Sequence, residues 1–555
     1  MLEDLDLHSI ADEQARELVR RLLNLLEDVR ADLRAAQAEI QRLRNEINRL
    51  KGEQGQPTIK PNTPQPPPKD LSSEQERRTP KAWSKGRKTD RIPIDREQVV
   101  AVDPACLPLD AVFKGYEDVV VQDVIFRTDN VLFRKEKFYS PSQHTIYMAS
   151  LPPGYCGQFG PGIKSLALVF YYGAQMSEPK VVELLRSVGV RISDGQMSNL
   201  LIKDHAAFHA EKDALYEAGL ASSPWQHLDD TSTRVNGQNG YCHIVCNPLY
   251  TAYFTTTAKD RLTVIDVLTN HRPRRFVVNA EALRCIEAGG LAAVRRRQLA
   301  QGPGEVIMDE AQMQAQLETH LPGLGPQQRK WILDATAVAA YHADVGFPVV
   351  RLLVCDDAPQ FTLVPEELAL CWVHEGRHYK KLMPSIPYHQ ARLEAFVQRF
   401  WAYYDQLLAY REQPTPAEAT RLAGEFETLF TTVTGYQALD ERIAKTRAKQ
   451  SCLLMVLAHP EIPLHNNPAE LGARTRVRKR DVSFGPRTRE GATAWDTFMT
   501  LAATATKLGV SFYHYIHDRV SGVYQMPALA ALIEERAKDL NLGASWLHPS
   551  CAPDY

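Results

Sequence analysis

The chain has 555 residues, 44% of them hydrophobic, enough for roughly two to four folded units with their own cores, which excludes a disordered or fibrous chain. Lys and Arg number 65 against 67 Asp and Glu, a formal charge of -2. A uniformly basic nucleic-acid coat is thereby excluded, as is a strongly acidic shell, and any nucleic-acid surface must be local. The nine cysteines are scattered without a C-x-x-C pair, which argues for reduced thiols rather than a disulfide framework or a zinc ribbon. The N-terminus is acidic where a secretory signal is basic, and no apolar run approaches the roughly 20 residues that span a bilayer. A soluble cytoplasmic, nucleoid-associated protein without membrane contact is expected.

From Leu22 the apolar positions step by four and three through Leu26, Val29, Leu33, Ala36, Ile40, Leu43, Ile47 and Leu50. This heptad seam, with Leu26, Leu33, Ile40 and Ile47 at a and Leu22, Val29, Leu43 and Leu50 at d, predicts a two-stranded coiled coil over 1–50 and hence a homodimer. The alternative is a long helix docked on its own body. Residues 51–92 are a Pro-rich linker whose second half carries Arg77, Arg78, Lys81, Lys85, Arg87 and Lys88 around Trp83, suited to phosphate contacts with one stacking ring, or else a plain solvated tether. A small strand-rich unit is expected over 93–164, from the runs Val119–Val121, Val124–Phe126 and Val131–Phe133 between turn signals. Over 165–220 two short helices flank Gly189, the second opening at Ser193. They fit a helix-turn-helix that presents Gln196 and Asn199 to DNA, although a core helical hairpin carries the same pattern.

The chemistry concentrates in 221–515, ahead of a C-terminal tail over 516–555. Asp229-Asp230 lies on a first strand, followed by two further strands and a helix, the opening of a ribonuclease-H-like domain. The apolar run Val349–Cys355 reads as a buried strand that ends on Asp356-Asp357. Glu470 follows Asn466-Asn467-Pro468-Ala469, with Arg474 and Arg478 at helical spacing and Lys479 in a stretch rich in cations. Two aspartates on neighbouring strands and a glutamate on a nearby helix make a site for a pair of divalent ions, the arrangement for phosphoryl transfer on DNA. Taken singly these acids also read as turn or capping residues, with Asn467, Pro468 and Glu470 at N-cap, N1 and N3.

The heptad N-terminus, the basic tether, Asp229-Asp230-Thr231, Cys371-Trp372-Val373-His374 and Asn466-Asn467-Pro468-Ala469-Glu470 with Arg478-Lys479 together resemble the IS66 family of DDE transposases. The resemblance implies a multidomain α+β protein: coiled coil, helix-turn-helix region, and ribonuclease-H-like catalytic domain with helical insertions at about 270–345 and 371–460. It implies catalytic, metal-holding Asp229, Asp356 and Glu470, with Asp230 and Asp357 as further candidate ligands. Two Mg²⁺ ions, or Mn²⁺ in their place, are the implied cofactor; double-stranded DNA at transposon ends and target, and accessory transposition proteins, are the implied partners. Trp372 is then expected to stack on an unpaired base, and His374 and Arg377 to contact phosphate, with ordinary helix packing as their alternative. The sequence departs from the family pattern where Asp230 replaces Glu and Leu471 replaces Arg. A catalytically degenerate DNA-binding derivative is therefore a second expectation. A third is a zinc metallopeptidase, from His374-Glu375-Gly376-Arg377-His378, which matches H-E-x-x-H but sets Arg377 beside the metal.

Overall fold

The computed structural model describes residues 10–51, 92–108, 111–155, 157–302 and 304–547. The basic tether with Arg77, Arg78, Lys81, Lys85, Arg87 and Lys88 lies outside them. Helix α1 (Glu13–Leu50) follows from a run free of Gly and Pro and rich in Leu, Ala, Arg and Glu. It docks on its own body through one face. Leu23 is buried against Ile386, and the Glu27 carboxylate accepts hydrogen bonds from Ser385 N (2.7 Å), Ser385 Oγ (2.8 Å) and Ile386 N (3.2 Å). These bonds hold Glu27 below the usual carboxylate range although burial opposes them. Arg30 and Arg34 donate to the carbonyls of Ser385 and Met383. Most of the heptad seam points elsewhere, roughly 100° around the helix at 3.6 residues per turn: Leu26 packs against the docked Leu23–Ile386 cluster, whereas Leu22, Val29, Leu33, Ile40, Leu43, Ile47 and Leu50 are exposed.

Among the described residues between 92 and 155 the strands are those of a single hairpin, β1 (Lys137–Ser140) with β2 (Thr145–Met148), preceded by a 3-10 turn at Pro104–Cys106. The runs expected as strands, Val119–Val121, Val124–Phe126 and Val131–Phe133, are extended but unpaired and mostly exposed. Their β-branched composition has no sheet face to pack on, and propensity alone does not make a ladder. Helix α2 (Pro161–Leu168) runs on into a wider turn. The expected helix pair is present as α3 (Glu178–Ser187) and α4 (Asp194–Ile202), joined through Gly189 at φ +92°. Ser193 and Gln196 form a reciprocal capping box at the start of α4. Helix α5 (Ala206–Ala221) leads into the sheet.

Strands β3 (Trp225–Val235), β4 (Gln238–Cys246) and β5 (Thr251–Thr256) form an antiparallel meander, followed by α6 (Arg261–Leu268) and four helices, α7 to α10 (Ala280–Ala288, Ala293–Ala300, Glu310–His320, Pro326–His342). Strand β6 (Leu352–Cys355) then pairs parallel to β3, and β7 (Glu367–Leu370) parallel to β6, giving the order β5-β4-β3-β6-β7. All four β6 residues are buried, as its unbroken apolar run requires.

The second insertion runs α11 (Trp372–Lys380), α12 (Pro387–Glu412), α13 (Pro416–Phe430), α14 (Gln437–Arg447), α15 (Gln450–Leu453) and α16 (Met455–Ala458). It has its own core, in which Trp372, Phe396, Phe400, Tyr403 and Leu407 are buried. The chain returns as α17 (Asn467–Ser483) and α18 (Arg489–Lys507), which cover the β3–β5 face, and closes with α19 (Phe512–Val520), α20 (Leu529–Leu540) and α21 (Ala544–Leu547). Of the segment expected as a tail, the described residues 516–547 are largely helical, and Leu529 and Ile533 are fully buried in the main core. No helix among the described residues is long and apolar enough to cross a membrane.

Replacing Glu27 with Ala leaves the amides of Ser385 and Ile386 buried without acceptors, a cost of about 1–3 kcal/mol. The expected result is faster amide hydrogen exchange over residues 383–390 and the first turns of α1, with the sheet unchanged. Wild-type protection there would show that Glu27 does not hold α1 to the body.

Candidate active site

The sheet brings the two aspartates together. The β3–β6 ladder pairs His227 with Val354, and two residues further along both strands this register sets Asp229 beside Asp356. Side chains alternate along a strand, so Asp229 shares a face with His227 while Asp230 points to the other. Glu470 enters from the first turn of α17. The N-cap of that helix is Asn466, one residue earlier than the sequence suggested, so Glu470 is not a capping residue. Helix α17 rides close on the sheet because Gly472 faces Ile244: a β-carbon at 472 would stand 2.7 Å from Ile244 Cγ2.

Asn466 fixes this helix start. Its Nδ2 donates to Leu228 O (2.8 Å), its Oδ1 accepts from His227 Nδ1 (3.0 Å), and its backbone N donates to Cys371 Sγ (3.3 Å). Burial pushes His227 down to about 3, so the ring is neutral with Nδ1 as its donor. These are positioning residues. His227 and Cys371 gave no signal of this role in the sequence, and Asn466 showed only as part of a helix-start pattern.

Burial, reinforced by Asp356, Glu470 and Asp230, raises Asp229 to about 7, against the hydrogen bond from Asp230 N. Asp356 is also raised, chiefly by burial, with His374 opposing. Glu470 Oε2 accepts from Arg377 Nη2 at 3.1 Å, and Oε1 lies 3.6 Å from His374 Nδ1. Both Oε1 and Nδ1 are buried without a hydrogen-bond partner among the described residues. A crowded carboxylate set with an orphaned buried oxygen fits divalent cations, whose charge would offset the repulsion. The neighbouring acids are engaged elsewhere: Asp230 with Lys259 (3.2 Å) and Gln360 (2.6 Å), Asp357 with Lys449 (2.6 Å).

Several expected DNA contacts are not available to DNA here. Trp372 is 0% exposed, its indole N–H bonded to Leu453 O and its ring packed on Phe400 and Tyr403; it is a core residue, not a stacking platform. Lys479 is likewise buried, donating to the carbonyls of Tyr171 (2.6 Å) and Met176 (3.1 Å) over the Tyr171 ring. Burial and nearby Arg476 push it down to about 7. Arg476, also buried, pairs with Asp496 and Thr255 beneath α17. Arg474 and Arg478 are exposed, as is Asn199, whereas Gln196 is tied to Ser193 and Gln158. The peptidase arrangement does not form: Glu375 is buried and bonded to Arg442, Thr446 and Lys449, on the side of α11 away from Glu470, so it is not poised as a general base between His374 and His378.

Three carboxylates, two on the adjacent inner strands β3 and β6 and one carried on a helix that packs over the same sheet, define a candidate acidic centre with cations on its rim. Residues 346–494 match the family described as "Transposase IS66 family". An uncharacterized protein, y4jO, of Sinorhizobium fredii (strain NBRC 101917 / NGR234) is 31% identical over 324 residues, 58% of this chain and 100% of that protein. Nothing among solved structures matches. The chain belongs to the IS66 transposase family.

Between pH about 4 and about 7 the folded chain holds a proton on Asp229 that the unfolded chain has released, its ordinary value being 3.8. This group therefore disfavours folding increasingly as pH rises through that window, and the effect levels off above it. Asp229→Asn removes the charge and keeps the shape. Without metal it is expected to stabilise the fold by on the order of 1–3 kcal/mol at pH 8, and not at all near pH 4, in thermal melts across pH. Superimposable wild-type and variant curves would contradict the crowding of charge at this site.

Proposed function

We propose that this protein is a DDE transposase that cuts DNA at transposon ends and joins the freed 3'-hydroxyl to target DNA. The observation that carries this reading is the placement of Asp229 and Asp356 side by side on β3 and β6, with Glu470 delivered over them by α17. The strand order and directions of the sheet, three antiparallel strands followed by two parallel ones, support a ribonuclease-H-like domain with helical insertions.

In this mechanism Asp229, Asp356 and Glu470 would hold two Mg²⁺ ions, or Mn²⁺ as a substitute, which would supply Lewis acidity toward the scissile phosphate and toward water or the 3'-hydroxyl. The chain's own contribution is placement and charge. Asn466 and Gly472 set the height of Glu470 above the sheet. Arg377 steadies its Oε2, and His374 stands on the same rim, within reach of the phosphate path. Arg474 and Arg478, one turn apart on the exposed side of α17, with Arg487 and Arg489 beyond it, offer phosphate contacts that carry no sequence information. Asn199 on α4 and the basic tether would hold transposon ends. The exposed part of the α1 seam, from Val29 to Leu50, pairs two protomers, because docking occupies mainly a different face of the helix and takes only Leu26 from the seam. Accessory transposition proteins belong to this reading as further partners.

Cleavage is tested on linear DNA carrying an element boundary, with Mg²⁺, Mn²⁺ or EDTA, by mapping 3' ends. Metal-dependent nicking is expected in wild type. Asp229→Ala, Asp356→Ala and Glu470→Ala should each lower it by at least roughly a thousandfold while DNA affinity stays within about threefold. Binding without cutting under every metal condition would assign the chain to DNA-binding derivatives of transposases instead.

The dimer is tested by light scattering. Wild type should have twice the mass of the chain, and the double substitution Ile40→Glu with Ile47→Glu should halve it, since charges at a positions break the seam. A monomeric wild type would refute pairing through α1.

A further inference from the structure

Cys371, His374 and Glu470 each direct a donor atom to one place, and these atoms lie within 4.8 Å of one another. Two helices supply them. Cys371 caps α11 and His374 lies three residues on, so both face α17, where Glu470 occupies the first turn. The Cys371 sulfur is buried, and burial pushes the thiol up to about 11 although backbone N–H groups of Asn466, Val373 and His374 point at it; three donors thus fix the position of the sulfur facing His374 and Glu470. His374 Nδ1 and Glu470 Oε1 are both among the buried atoms left without a hydrogen-bond partner, and they face each other at 3.6 Å. Arg377 Nη1 donates to His374 Nε2 at 3.0 Å, which leaves the ring proton on Nδ1, pointing at Glu470.

We infer that Cys371 Sγ, His374 Nδ1 and Glu470 Oε1 form a second cation site, one that takes a thiophilic ion of the Zn²⁺ type. Sulfur and imidazole donors select Zn²⁺ over Mg²⁺, and three protein donors leave a fourth position open. On binding the ion, the Cys371 thiol proton is released to solvent and the single ring proton of His374 moves from Nδ1 to Nε2, so Arg377 Nη1 turns away from the ring while Nη2 keeps Glu470 Oε2. The donor set is not H-E-x-x-H: His378 and Glu375 take no part, and the residue before Trp372 replaces them. The inference rests on the transposase reading only for the second role of Glu470, whose Oε2 stays on the side of the acid pair; the ion would lock that glutamate in place.

The test is elemental analysis of protein purified without chelator, followed by Co²⁺ titration of the metal-stripped full chain. Zinc near one equivalent is expected, and Co²⁺ should give a thiolate-to-metal charge-transfer band in the near ultraviolet that saturates at one ion per chain. Cys371→Ser should lose the band. His374→Ala should keep it while binding Co²⁺ at least tenfold more weakly. Circular dichroism spectra matching wild type establish that both variants are folded. Asp229→Ala should retain the band in full while losing cleavage, which separates this site from the proposed catalytic pair. A wild type that gives the band yet never cuts DNA would sink the transposase reading alone. Absence of zinc and of the band in wild type, a band unchanged in Cys371→Ser, or unaltered Co²⁺ affinity in His374→Ala would each overturn the inference.

Discussion

The position of Glu470 depends on one buried amide. Asn466 is bonded at once to the His227 ring and the Leu228 carbonyl of β3 and to the Cys371 sulfur at the start of α11. It thereby ties the central strand, the helical insertion and α17 to a single point. A buried amide that fails to find its partners costs more than it returns when satisfied, so all three elements must arrive in register. Gly472 sets the depth of the same contact: with no β-carbon, α17 settles against Ile244 on β4.

Beneath α17 lies a layer that would look, in sequence, like part of a DNA-binding surface. Arg476 meets Asp496 and Thr255 over the Trp495 ring, and Lys479 meets two carbonyls over Tyr171. A buried charge is tolerated when its hydrogen bonds are satisfied and costly when it is orphaned, and here both cations have partners from other elements. The exposed Arg474 and Arg478 lie on the opposite side. One helix therefore separates its cations by function, Arg474, Arg476, Arg478 and Lys479 being divided between structure and surface although they fall within six residues of sequence.

Much of this centre was legible in the sequence, and the reasons differ residue by residue. Asp229 and Asp356 stood out because each follows or sits within an apolar strand pattern, and a carboxylate at a strand end is unusual. Glu470 was marked by the Asn-Asn-Pro start of its helix. Trp372 was misjudged because an indole beside basic residues suits a base as well as it suits a core, and only the packing of the insertion decides between them. Lys479 was misjudged because periodicity places it on a helix but does not say which neighbour covers that face. The strand pattern over 119–133 predicted a unit that the structure does not pair, since pairing needs a second strand and propensity supplies only one. In α1 the docked alternative is the one seen, through Leu23 and Glu27, while most of the heptad seam stays exposed.

The contacts that assemble the acidic centre join distant parts of the chain. His227 and Asn466 are 239 residues apart, Arg377 and Glu470 are 93 apart. During synthesis, at about 5–20 residues per second, all five strands of the central sheet and the helix bearing Arg377 leave the ribosome before Glu470 does. A nascent chain therefore carries its paired aspartates for roughly 5–20 s before the third carboxylate exists, and longer before the insertion has folded and delivered it. Any product that terminates early, within the insertion, has the sheet and the N-terminal seam but lacks the glutamate. On the pairing proposed for α1, such fragments would combine with full-length chains, so translation that stops short would yield an antagonist of the complete protein rather than a weaker version of it.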